Sequence, residues 1–76
     1  MRSQSEQAVP YLKAWRLKRL MTQLQLAIKA DVGQQTVIRI EKGAKASELT
    51  IHKLAKALDI TVKELMEMDP EKEDAA

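Results

Sequence analysis

Gln34, Gln35, Thr36 and Arg39 fall within one short segment, Gln34 to Lys42, whose apolar positions are Val37 and Ile40. At helical spacing the apolar pair turns inward and the polar side chains are left on the other faces. Their chemistry is that of base recognition. A glutamine carboxamide pairs bidentately with adenine N6 and N7, a guanidinium with guanine O6 and N7, and a threonine touches a phosphate or a thymine methyl. A helix serving only solubility would carry Glu and Lys there. Ile38, in the same segment, either meets a thymine methyl or packs on the first helix.

The segment must be held by a neighbour. Thr22-Gln23-Leu24-Gln25 reads as a capping box that opens a helix running to Ala30, with Leu26, Ala27 and Ala30 inward. Asp31-Val32-Gly33 then separates it from the polar helix, which gives the spacing of a helix-turn-helix unit over about residues 22–42. Gly43 sits where a left-handed residue is wanted after the second of these helices. Upstream, Pro10 suits the first position of a helix carrying Leu12 and Trp15 inward and ending near Leu20. Downstream, Ser47 caps a helix with Ile51, Leu54, Ala55 and Leu58 inward, and Thr61-Val62-Lys63-Glu64 opens a last short helix through Met68, closed by Asp69-Pro70. Residues 1–9 read as a flexible segment, 10–69 as the folded domain and 70–76 as a charged flexible tail.

Composition agrees with this layout. The 76 residues, 45% hydrophobic and 32% charged, suffice for one small domain, which excludes multidomain enzymes. Two glycines, two prolines and only Trp15 and Tyr11 as aromatics leave little for strands, so the expected class is all-α with five helices. The charge is uneven: residues 1–45 carry nine Lys/Arg against three Asp/Glu, net +6, and residues 46–76 carry four against eight, net −4. A basic half is the electrostatic footprint of a nucleic-acid binder.

Other chemistries lack their residues. There is no cysteine, and the single histidine, His52, makes no zinc site unaided. Glu64, Glu67 and Asp69 cluster without the spacing of a calcium loop and read as solvated. Nothing pairs a nucleophile with a base, so neither an enzyme, a metal nor a cofactor is expected. No apolar run approaches membrane-span length, and the first residues lack the apolar stretch of a secretory signal, which makes the expected location cytoplasmic with no membrane partner.

Thr22-Gln23, Leu26-Ala27, Ala30, Val32, Val37, Ile40-Glu41-Lys42-Gly43 and Leu54-Ala55-Lys56-Ala57-Leu58, in this register, resemble the phage repressor and Cro (XRE) family of helix-turn-helix regulators, over about residues 11–68. The resemblance implies a five-helix lambda-repressor-like fold. It implies that Gln23 binds a DNA phosphate at its helix start, that Gln34, Gln35 and Arg39 read bases, and that Thr36, Lys42 and Lys45 lie on the backbone or share both tasks. It also implies a structural ion pair between Arg16 and Glu41. The chain departs from the family where glycine is usual, near Leu20 and Asp31, and at Gly33, where serine or threonine is usual. Leu24 and Ile28 hold positions that are usually polar.

The function expected from these residues is sequence-specific binding of double-stranded DNA by a small transcriptional regulator, a repressor acting as a homodimer on a pseudo-palindromic operator. The last helix, through Leu65, Met66 or Met68, is the expected dimer surface. The alternative is a protein-interaction adapter or antitoxin-type partner protein of the same fold, docking through Leu24, Ile28 and the acidic carboxyl-terminal half.

Overall fold

The computed structural model describes residues 6–73. Among them the order is β1 (Glu6–Ala8), α1 (Leu12–Lys18), α2 (Gln23–Ala30), α3 (Gln34–Glu41), β2 (Lys45–Ser47), α4 (Glu48–Ala57), α5 (Val62–Glu67) and α6 (Pro70–Glu73). Leu12, Leu26, Leu54, Leu58, Leu65 and Val37 are fully buried and form the centre of one core, with Trp15 and Ile40 at its sides. Each comes from the inward stripe of an amphipathic helix, so the helical apolar spacing is what closes the core.

The helix starts are built by side chains. Thr22 and Thr61 each accept from the backbone N–H three residues on, at 3.0 Å, while Gln25 and Glu64 reach back to the cap N–H at 2.8 and 2.9 Å. Ser47 accepts from the Thr50 N–H at 3.3 Å. Gly33 supplies no side chain at the start of α3.

The helix ends share one backbone device. After α1 the Leu20 N–H donates to Leu17 and the Met21 N–H to Arg16; after α2, α3 and α4 the same pair of bonds recurs around Asp31, Gly43 and Asp59. These are Schellman motifs, which need a left-handed residue. Three of the four are not glycine: φ is 61° at Leu20, 60° at Asp31 and 59° at Asp59. Aspartate tolerates this region better than most residues; a leucine there is strained.

The structure corrects the sequence reading at both ends. Residues 6–9 are not a flexible segment: β1 pairs antiparallel with β2, Glu6 opposite Ser47, Gln7 opposite Ala46 and Ala8 opposite Lys45, and Val9 is buried. The expectation for residues 1–5 lies outside the described residues. Because the chain arrives from a strand, Pro10 and Tyr11 are spent on a turn and α1 begins at Leu12 rather than Pro10. At the other end Asp69-Pro70 starts a helix instead of closing the fold. Asp69 Oδ1 accepts the Glu71 N–H at 2.9 Å, Pro70 is buried, and proline at a first helical position is preorganised. The expected flexible tail is thus helical over Pro70–Glu73, and residues 74–76 lie outside the description. The five expected helices become six with a two-stranded ribbon.

Trp15 and Arg19 fasten the acidic half to α1. The Trp15 indole N–H donates to the carbonyl of Met68 at 3.0 Å, just past α5, and shares the Glu64 carbonyl, at 3.2 Å, with the Met68 backbone N–H. Arg19 lies 5.6 Å from the Trp15 ring centre and donates to the Leu58 carbonyl at 2.8 Å, at the end of α4.

Candidate nucleic-acid interface

At about 100° per residue, the order around α3 is Gln34, Ile38, Gln35, Arg39, Thr36, and then the buried Ile40 and Val37. Burial follows that order except at Ile38. Gln34, Gln35 and Arg39 are exposed, Thr36 and Ile38 are half-buried, and Val37 and Ile40 are in the core. The two glutamines and the arginine therefore share one solvent side of a helix whose opposite side is fixed by packing. Ile38 lies between the glutamines and is partly open, so its methyls border the polar face without joining the core.

Glu41, at the last turn of α3, anchors the helix from below. Its Oε2 accepts the Arg16 Nε–H at 2.6 Å and its Oε1 accepts from Arg16 Nη2 at 3.1 Å. The two side chains are only 9% and 5% exposed. Arg16 also donates from Nη1 to the Met21 carbonyl at 2.8 Å, in the turn between α1 and α2. A bidentate, nearly dry guanidinium–carboxylate pair fixes the relative position of α1 and α3 in two directions at once. Its desolvation makes it a device of geometry more than of net stability.

Gln23 joins this network, its amide Nε2 donating to Glu41 Oε1 at 3.0 Å. In this structure it braces α2 against α3. An amide nitrogen carries two hydrogens, so one remains for an external acceptor while the first holds the side chain at the start of α2. Lys42 and Lys45 are both exposed, one just after α3 and the other on β2. Lys45 is carried by the ribbon, whose pairing with β1 sets the direction of its backbone.

The structure does not bring the proposed dimer residues to one surface. Leu65 is fully buried because it is the inward residue of α5, so it is withdrawn as a surface contact. Met66 and Met68 are half-buried and packed against the same core. The exposed large apolar side chains lie elsewhere: Leu24 is 48% and Ile28 71% exposed on α2, and Leu17, Leu20 and Leu49 are exposed on or beside α1 and α4.

Sequence reasoning missed the hollow at the far edge of the reading face. Thr36 and Arg39 of α3, Lys45 and Ser47 of β2, Thr50 of α4 and Glu6 of β1 line it together. Glu6 had no sequence signal, because a strand of three exposed residues shows no apolar alternation.

Among the described residues, no group of three His, Cys, Asp or Glu side chains is placed to hold a metal ion, and no helix is long and apolar enough to cross a membrane. A family model described as Helix-turn-helix (HTH_3) matches residues 12–65. Neither the curated proteins nor the solved structures contain a match to this chain.

Proposed function

This chain belongs to the helix-turn-helix family of XRE/Cro-type DNA-binding transcription regulators, and from that premise we propose that it is a repressor that binds a pseudo-palindromic operator as a homodimer. The observation that supports this reading best is the shared solvent side of Gln34, Gln35 and Arg39 on a helix locked from behind by the Arg16–Glu41 pair. Side chains that must meet base edges need a rigid support, since a loosely held helix loses both register and specificity.

In the proposed complex α3 enters the major groove. Gln34, Gln35 and Arg39 meet base edges, and Gln23, Thr36, Lys42 and Lys45 meet the backbone or, for Thr36, both. Two copies would place their α3 helices in successive major grooves, about 34 Å apart. Of Leu65, Met66 and Met68, only the two half-buried methionines retain surface for contact with the second copy. Repression follows from occupancy, because a bound dimer blocks access to the DNA beneath it. The reading includes no cofactor and places the protein with its DNA in the cytoplasm.

Two substitutions test it. Gln35→Ala should relax the preference at one position of each half-site, and Lys45→Ala should weaken all sequences about equally while reducing the salt slope by about one. Equal effects of both variants on every duplex would refute the base-reading role.

The exposure of Leu24 and Ile28, one turn apart on α2, favours a second reading in which a protein partner docks there, as an adapter or antitoxin-type protein would. Replacing both by Glu should then abolish partner capture and leave DNA binding intact.

A further inference from the structure

We propose that Glu6 is a specificity-determining residue that accepts a hydrogen bond from a base amino group at the edge of the site read by α3. The proposal rests on the DNA-binding reading above and extends it to a part of the chain that the family match, which begins at residue 12, does not cover.

The placement follows from the register of the ribbon. Directly opposed residues of an antiparallel pair share a face, so Glu6 with Ser47 and Ala8 with Lys45 point one way, and Gln7 with Ala46 the other. Ala46 is buried, which identifies its face as the inner one and puts Glu6 and Lys45 on the outer face as diagonal neighbours. Glu6, Lys45 and Ser47 of that outer face line, together with Ala46, the hollow whose other wall is Thr36 and Arg39 of α3. Backbone pairing thus sets a carboxylate-bearing residue on the rim of the same hollow as Arg39, on an element three residues long.

The chemistry narrows what this carboxylate can do. Phosphates repel it, so in a DNA complex it has no favourable role against the backbone. Base amino groups are the hydrogen-bond donors that the major groove offers: cytosine N4 and adenine N6. Arg39 and Lys45 line the same hollow, two cations to one carboxylate, so the hollow as a whole stays cationic and compatible with DNA. Among the described residues no hydrogen bond or ion pair engages the Glu6 side chain, and its exposure leaves the acceptor oxygens accessible.

The test compares the wild-type chain and Glu6→Ala in selection from a random duplex pool, followed by fluorescence anisotropy on the selected duplex, on its single-base variants and on an unrelated duplex. Glu6 is exposed and pairs through its backbone, so the variant folds, which circular dichroism checks. The expected result is that one column of each half-site becomes degenerate, with about tenfold lost in discrimination there. Affinity for the unrelated duplex should stay the same or rise severalfold, because a negative charge has been removed. An identical consensus, or a uniform change on every duplex, would overturn the proposal and leave the α3 reading standing. A wild-type chain that enriches no duplex would remove both.

Discussion

Replacing Leu20 by glycine should stabilise the protein, against the usual direction for a large-to-small change. Leu20 holds φ at 61° as the left-handed residue of the Schellman motif after α1, and it is 89% exposed, so the side chain contributes almost no packing. A left-handed conformation costs a residue with a Cβ roughly 1–2 kcal/mol. Glycine removes that strain and adds about 0.5–1 kcal/mol of backbone entropy lost on folding. The difference is a gain of about 0–1.5 kcal/mol, centred near 0.75, and the centre corresponds to a rise in Tm of roughly 3–6 °C for a domain of this size. Leu20→Ala is the control: it keeps the Cβ and the strain, so it should show no such gain. Urea unfolding followed by circular dichroism gives the comparison, with unchanged m-values showing that the effect is on stability. If Leu20→Gly is no more stable than Leu20→Ala, the assignment of strain to this position is wrong.

The remaining predictions concern the contacts that hold the reading helix and its neighbours. Arg16→Met or Glu41→Leu alone should destabilise by about 3–5 kcal/mol, because each leaves a nearly dry charge without its partner, and the double variant should lose clearly less than the sum; additive losses would refute the pairing. Trp15→Phe should cost about 1 kcal/mol in urea unfolding, since the Met68 carbonyl loses the indole donor while the Glu64 carbonyl keeps the Met68 N–H, and no loss would show that solvent replaces the indole there. Binding to duplex DNA should fall linearly on a log–log plot against salt, with a slope near −0.9 for each phosphate neutralised; a salt-independent affinity would contradict a backbone-anchored complex.

Much of the helical frame was legible because short-range chemistry specifies it. Thr22-x-x-Gln25 and Thr61-x-x-Glu64 each announce a helix start by satisfying two backbone donors, and the Val37 and Ile40 spacing fixes which face of α3 looks outward. What stayed hidden depended on distant partners. β1 exists because Ala46 and its neighbours offer a backbone edge some forty residues away in sequence, and no local pattern in Glu6-Gln7-Ala8 foretells it. Asp69-Pro70 is ambiguous in sequence: the same dipeptide can end one helix or start the next, and burial of Pro70 against α1 decides for the start. The bond from Gln23 to Glu41 was equally out of reach, since it joins residues brought together only when α2 and α3 pack. Leu65 shows the converse: an apolar residue on a short helix late in the chain suggests a surface contact, but its phase on α5 buries it.

Selection of duplexes from a random DNA pool by the purified wild-type chain tests the central claim most directly. The account predicts an enriched pseudo-palindrome with half-sites about one helical turn, roughly 34 Å, apart. No enrichment of any sequence at low salt would contradict it.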